Sequence, residues 1–175
     1  RSKTDLRSKK VKYYNRLAAF GDKTGSAHAI DIIDKRPDKG GKCEQTVTAD
    51  KVIIATGGRP NDGGFEGAEH TISSDDIFWQ KKPPGKTLVV GASYIALECA
   101  GFLHGLGFDT SVMVRSVPLR MFDQDCATRV AAFMEQDGIK FVNKQIPKKF
   151  EKVGDQIKVT ADNQGTTVDA GLYDT

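Results

Sequence analysis

Apolar positions along this chain fall into short alternating or continuous runs separated by clusters of turn formers. Val11, Tyr13, Tyr14, Leu17, Ala19 and Phe20 precede a polar stretch from Gly21 to Gly25, after which Ala27-His-Ala-Ile-Asp-Ile-Ile33 reads as a strand. Lys35 to Lys42 is a polar turn. The segment Thr46 to Thr56 ends in the β-branched run Val52-Ile-Ile-Ala55, the pattern of a strand buried on both faces. Gly57 to Gly64 is a run of turn formers and reads as a boundary. Beyond it, Thr87 to Gly91 predicts a buried strand, Tyr94 to Leu106 a helix rich in Ala and Leu, and Thr110 to Arg115 another buried strand after a stop at Gly107. A second helix is expected from about Asp125 to Gln136, with Val130, Phe133 and Met134 on one face and Gly138 as its stop. Lys140 to Asn143 predicts a short strand. From Pro147 onward, alternation in Ile157 to Thr160 and Thr166 to Val168, around Gly154 and Gly165, predicts antiparallel hairpins. The order strand, helix, strand, helix, strand defines an α/β fold with a doubly wound parallel sheet, followed by a β-meander.

Length and composition narrow this picture without changing it. At 175 residues the chain suits one domain or slightly more, and 38% hydrophobic residues with 18 Gly describe a packed rather than a disordered chain. The net charge of +3 is too small to argue for nucleic acid, and the basic stretch from Arg1 to Lys12 reads as a solvated face. Cys43, Cys99 and Cys126 have neither C-x-x-C nor metal-site spacing, which predicts structural thiols in a reducing compartment. His28, His70 and His104 likewise lack metal-ligand spacing, so no metal site is expected. Without a long apolar run, the expectation is a soluble intracellular protein. The chain opens on Arg1 and closes on Thr175 with no stop signal, and both ends are expected to be cut.

Chemistry concentrates where the strand ending at Val90 turns into a helix. In Val89-Val-Gly-Ala-Ser-Tyr-Ile-Ala96, Gly91 permits the tight turn, Ala96 permits close helix packing, and the helix N-terminus offers free N–H groups to a pyrophosphate. This is a dinucleotide fingerprint with Ser93 at its second glycine, and alone it leaves an ordinary strand-to-helix turn open. The next strand adds more. Its end, Met113-Val-Arg115-Ser116, lacks the acidic residue that would bond a ribose 2′-hydroxyl, and Arg115 and Arg120 suit a 2′-phosphate instead. On their own, Tyr94 and Glu98 read as a half-buried aromatic on the core face and a helix-surface acid. Cys99, beside Glu98, reads as a packing residue.

Taken together, Gly85-Lys-Thr-Leu-Val-Val-Gly-Ala-Ser-Tyr-Ile-Ala-Leu-Glu-Cys-Ala-Gly-Phe-Leu103 and Val112 to Asp125 closely resemble the NADPH domain of the large, animal-type thioredoxin reductases. These belong to the glutathione reductase-like pyridine nucleotide-disulfide oxidoreductases. Ala55-Thr-Gly-Gly-Arg-Pro60 and Ile72-Ser-Ser-Asp-Asp76 resemble that family's crossing from an FAD domain into the NADPH domain. The resemblance implies that residues 1–57 are part of an FAD-binding domain and 58–175 a C-terminally incomplete NADPH-binding domain. It implies that Gly91, Ala92, Ser93, Tyr94, Ile95, Ala96 and Glu98 line the NADPH site, with Tyr94 as the gate over the flavin and Glu98 orienting the nicotinamide amide. Arg115, Ser116 and Arg120 would hold the 2′-phosphate, while Leu17, Ala18, Thr56 and Gly57 would contact FAD. Asn61 departs from the family pattern, where a second Arg stands near the cofactor.

The resemblance also implies parts that these residues do not contain. An FAD fingerprint and a C-x-x-x-x-C redox pair are expected before Arg1, and a dimerisation domain with a redox tail after Thr175. None of the three cysteines stands at the spacing of a redox pair. The implied activity of the whole is hydride transfer from NADPH to FAD and onward reduction of thioredoxin by a homodimer, in the cytosol or the mitochondrion. A glutathione reductase-like enzyme and a stand-alone NADPH-binding module are the alternative expectations. The unpartnered apolar run at Val52 to Ala55 further predicts that the isolated chain is partly unstable or sticky.

Overall fold

The computed structural model describes residues 3–22, 25–36 and 40–175. Arg1 and Ser2 of the basic stretch, Lys23 and Thr24 of the first turn, and residues 37–39 of the polar turn lie outside the described residues. Two compact units follow one another, Arg1–Gly57 and Gly58–Thr175.

In the first unit, a short helix α1 (Lys3–Ser8) buries none of its residues, as its charged sequence dictates. Three antiparallel strands follow, β1 (Leu17–Phe20), β2 (His28–Ile33) and β3 (Cys43–Ala49), with β2 in the centre. Ala29 and Ile32 of β2 are buried, and Ile30 pairs with Val47 of β3. The strand expected at Val52 to Ala55 is absent: these residues form no element, and Ile53 is 90% exposed. The third strand lies earlier, at Cys43–Ala49, where Thr46, Val47 and Thr48 pair with β2. A β-branched run forms a buried strand only against a partner, and both places beside the central β2 are taken, by β1 and β3.

An ionic cluster closes this unit. Asp34, directly after β2, is only 2% exposed, yet it carries a charge. Arg36 donates to it from its backbone N–H (3.0 Å) and from its guanidinium Nε and Nη2, and Arg16 Nη2 lies 3.2 Å away. Arg16 is held in turn by Glu44 of β3, Nε to Oε2 at 2.8 Å. The Arg36 guanidinium holds the Asp34 carboxyl well below the usual carboxylate range.

The second unit is built around three parallel strands, β4 (Thr87–Val90), β5 (Thr110–Val114) and β6 (Lys140–Asn143), in that spatial order. Helix α2 (Tyr94–Gly105) joins β4 to β5, and α3 (Gln124–Asp137) joins β5 to β6. Every residue of β5 is buried. Val112 and Val114 face a cluster with Leu97 and Ala100 of α2, Ile139 and Met134, whereas Met113 faces the opposite way. That other face is covered by an antiparallel meander, β7 (Gln145–Val153), β8 (Gln156–Asn163) and β9 (Thr166–Tyr173), through Phe150, Ile157, Val159, Ala161 and Tyr173. Thus the parallel sheet, its two helices and the hairpins around Gly154 and Gly165 stand where the apolar pattern puts them. In α3 the buried face differs from the expected one: Ala127 is buried and Met134 packs on the core, while Val130 and Phe133 are exposed.

Two close approaches fix the meander to the chain that leads into the parallel sheet. Gly67, at φ 79°, lies so near the Phe150 carbonyl that a Cβ would stand 1.9 Å from its oxygen, so only glycine fits. There the Phe150 N–H donates to Glu66 O at 2.9 Å. At the far end, Asp174 accepts from the Lys86 N–H (2.7 Å) and from Gln156 Nε2 (2.9 Å). Thr175 then brackets Thr87 in the parallel manner, donating to Lys86 O (3.3 Å) and accepting from the Leu88 N–H (3.0 Å). No helix among the described residues is long and apolar enough to cross a membrane.

Because the Asp34 pKa is lowered on folding, its contribution is complete above the carboxylate range of an unfolded chain and disappears as pH falls through the native value. The melting temperature is therefore expected to drop steeply below about pH 4. Asp34→Asn should lower it at neutral pH and remove this part of the acid dependence. A variant whose acid melting profile parallels the parent's would refute that account.

Candidate functional site

The turn after β4 is set by backbone bonds rather than by side chains. The Gly91 N–H donates to Met113 O of β5 at 2.9 Å, and φ 111° at Gly91 sends the chain away from the sheet into α2. Nothing lies within 4 Å of where a Gly91 Cβ would stand, so space above the turn is open. Ser93 is the N-cap of α2, with extended dihedrals and no side-chain capping bond; its carbonyl accepts the Leu97 N–H at 3.0 Å. The N–H groups of Tyr94, Ile95 and Ala96 precede that first intrahelical bond and face outward, as at any uncapped helix start. Here the macrodipole favours an anion.

The loop after β5 is tied to the same turn. Arg115 and Ser116 are the first exposed residues beyond the five buried ones of β5, because the core ends at Val114. Leu119 then adopts φ 47°, and its N–H donates to Ala92 O at 2.8 Å. A left-handed leucine costs about 1–2 kcal/mol. Its side chain offsets this by packing on the helix-side core with Ala92. Arg120, next in sequence, is exposed. Among the described residues, neither the Arg115 nor the Arg120 side chain has a hydrogen-bond or ion-pair partner. The nearby carboxylate of Asp123 is engaged elsewhere: it caps α3, accepting the Cys126 N–H at 2.9 Å, and that bond holds it below the usual carboxylate range.

Tyr94 and Glu98 are both exposed and stand one helical turn apart on one side of α2. Tyr94 is 54% exposed, which corrects its reading as a half-buried core aromatic; the core face of α2 is Leu97, Ala100 and Leu103. Cys99 is half-buried, and burial pushes its thiol up, with the Glu98 carboxylate acting in the same direction, so it is a poor nucleophile. His104 holds the two helices together, its Nε2 lying 2.9 Å from Asp137 O. The chain thus gathers Gly91 to Glu98 and the Arg115 to Arg120 loop at the C-terminal end of a parallel sheet. In open α/β folds this is where ligands bind. A cavity of about 430 Å³ lies beside it, lined by Phe65, Ile72, Leu88, Ile95 and Cys99, but Tyr94, Glu98 and the two arginines are not on its wall.

The remaining site candidates lie in the first unit or at its end. Leu17 and Ala18 are exposed on the edge strand β1, and Thr56 and Gly57 are exposed beyond the last element of that unit, Gly57 at φ 71°. Asn61 makes a local turn, its side-chain oxygen accepting the Gly63 N–H at 2.7 Å. Sequence reasoning missed four residues between β5 and the start of α3. Leu119 carries no sign of a positive φ, since leucine rarely adopts one. Phe122 and Gln124 read only as loop residues, although Gln124 Nε2 donates to Phe122 O (2.9 Å) and Leu119 O (3.2 Å). Asp123 could have been found, being an N-cap residue type directly before the helix.

A parallel sheet with an open glycine turn, an uncapped helix start and two arginines without partners among the described residues, on the loop after the next strand, is an open α/β arrangement whose ligands bind at the C-terminal end of the strands. A family model, pyridine nucleotide-disulphide oxidoreductase, matches residues 6–173, and the chain belongs to that family. A thioredoxin reductase of Plasmodium falciparum is 50% identical over 174 residues, 97% of this chain and 31% of that protein. A thioredoxin reductase of Emiliania huxleyi is 44% identical over 175 residues, 99% of this chain and 34% of that one. The chain therefore spans about a third of the length of these relatives. Among solved structures, the HOCl-induced flavoprotein disulfide reductase RclA of Escherichia coli, as a copper-bound mutant, shares the fold. Its TM-score is 0.67 at 19% identity, covering 86% of this chain and 34% of that one.

Gly91→Ala should destabilise the second unit by about 1–3 kcal/mol, because a Cβ forces a left-handed strain although it meets no neighbour. Chemical denaturation checks this, and a loss below about 0.5 kcal/mol would show that the turn relaxes to another conformation.

Proposed function

We propose that this chain is the NADPH-binding part of an NADPH- and FAD-dependent thioredoxin-disulfide reductase, preceded by part of its FAD-binding domain. The observation that carries this reading is a pair of guanidiniums, without partners among the described residues, on a loop whose backbone is bonded to the Gly91 turn, Leu119 N–H to Ala92 O. Such a pair has the charge and the planar donors for a 2′-phosphate, and the uncapped start of α2 has the N–H groups for a pyrophosphate. The named relatives support the thioredoxin reductase assignment over the glutathione reductase alternative.

When bound, the nicotinamide cofactor and the flavin supply hydride transfer and its relay to a disulfide. The residues of this chain bind and orient. Arg115, Ser116 and Arg120 hold the 2′-phosphate and so select the phosphorylated cofactor. Gly91, Ala92, Ser93, Ile95 and Ala96 let the pyrophosphate approach the helix start. Tyr94 covers the nicotinamide position until the cofactor enters, and Glu98, one turn further along, orients the carboxamide. Leu17, Ala18, Thr56 and Gly57 contact the flavin nucleotide. No redox pair is assigned among the described residues, where Cys43, Cys99 and Cys126 are all free thiols. The disulfide, the dimerisation domain of a homodimer and the surface that meets thioredoxin belong to the remainder of the protein, which we place in the cytosol or the mitochondrion.

In the full-length, FAD-loaded protein, Arg115→Glu is expected to weaken NADPH binding roughly 10- to 100-fold, the value of one charged hydrogen bond, while NADH binding changes little. Dissociation constants for both cofactors test this. Equal loss of both would overturn the phosphate assignment, and reduction of oxidised glutathione in preference to thioredoxin would overturn the substrate.

A further inference from the structure

The Tyr94 ring does not stand alone over the start of α2. It meets Phe122 edge to face, with ring centroids 6.5 Å apart and an interplanar angle of 69°. Both side chains are exposed, so the pair is not a by-product of core packing. The backbone beneath Phe122 is fixed at both polar groups: its N–H donates to Leu119 O at 2.8 Å, and its carbonyl accepts from Gln124 Nε2 at 2.9 Å. Leu119 is bonded in turn to Ala92, two residues before Tyr94. Phe122 is therefore an aromatic held out on a braced loop, and among the described residues Tyr94 is its one aromatic partner. A polar residue at 122 would satisfy the same backbone bonds without exposing an apolar ring.

Resting on the assignment of Tyr94 as the nicotinamide gate, we propose that Phe122 is the seat of the Tyr94 ring in the cofactor-free protein. It is a positioning residue that holds the gate in its waiting conformation and loses the contact when the nicotinamide displaces the ring. A contact made only before binding works against binding. Edge-to-face aromatic pairs correspond to a factor of about 2 to 10 in an equilibrium constant, and Phe122 opposes the nicotinamide half of the cofactor by that factor. The adenosine half, with its 2′-phosphate, reaches the arginines without moving Tyr94 and is unaffected. Phe122 thus penalises ligands that present a nicotinamide-sized group and spares those that lack one, so only a full dinucleotide has to work against the seat.

The test uses the full-length, FAD-loaded protein with two ligands, NADP+ and 2′,5′-ADP, the second lacking the nicotinamide. Phe122→Ala is expected to tighten NADP+ about 2- to 10-fold and to leave 2′,5′-ADP within about 2-fold. In a Tyr94→Ala background the same substitution should have no further effect on NADP+, because the contact is already gone. Phe122→Leu keeps apolar bulk without the ring edge and should show a smaller shift of the same sign; it serves if the alanine variant loses its flavin. Weaker binding of both ligands, or an equal effect with and without Tyr94, would overturn the proposal and make Phe122 part of the phosphate seat. If Tyr94→Ala alone changes neither NADP+ affinity nor the rate of flavin reduction by NADPH, the gate assignment fails, and the seat fails with it. If that variant does change them while Phe122→Ala does not, only the seat fails.

Discussion

Burial of β5 on both faces is the constraint on which the second unit depends. Val112 and Val114 can leave water only against the helices, and Met113 only against the meander, so one five-residue strand requires three layers. Parallel strands need this double cover, and their crossover helices supply only one half of it here. The same constraint sets where charge can appear. Exposure begins abruptly at Arg115, the first position after the strand, and that abruptness brings a guanidinium to the rim of the sheet beside the Gly91 turn. The position of the site is thus a consequence of where the core ends.

Holding the site in shape is a separate matter, and it is done by main-chain atoms. The Gly91 N–H is bonded to β5, and the Ala92 carbonyl to the loop that leaves β5. The turn is therefore fastened on both sides to the neighbouring strand and its exit. Asp174 beside Lys86 and Gly67 beside Phe150 perform a comparable task for the meander, one by carboxylate bonds and the other by the absence of a side chain. Neither fastening relies on apolar area, which is why neither is visible as a hydrophobic pattern.

That division explains how much could be read from the sequence. The parallel strands, both helices and the hairpins were legible because each is specified locally, by periodicity and by Gly at its ends. The glycine turn and Arg115 were legible because motif and strand position coincide. Val52 to Ala55 was misread because a β-branched run states a preference for burial without naming a partner, and Cys43–Ala49, more polar and thus less conspicuous, holds the place beside β2. Tyr94 was misread on its own residues because an aromatic on a helix is usually a core residue, and only the resemblance pointed outward. Val130 and Phe133 show the same error, since helical periodicity grouped them with Met134 on one face but both are exposed. Leu119 and Phe122 were illegible, because the first depends on a dihedral its residue type disfavours and the second on a ring contact across a loop.

One feature of the loop after β5 bears on descent rather than on folding. Its anchors are the N–H groups of Leu119 and Phe122, the Gln124 side chain on the Phe122 carbonyl, and a cap at Asp123 that Asn, Ser or Thr could also provide. Main-chain anchors survive nearly any mutation of the side chains between them. The positions at 115, 116, 120 and 121 are therefore free to drift without disturbing the scaffold, and on the proposed reading three of them choose the cofactor. On that reading, a few substitutions in this loop change nucleotide preference without altering the sheet or its turn.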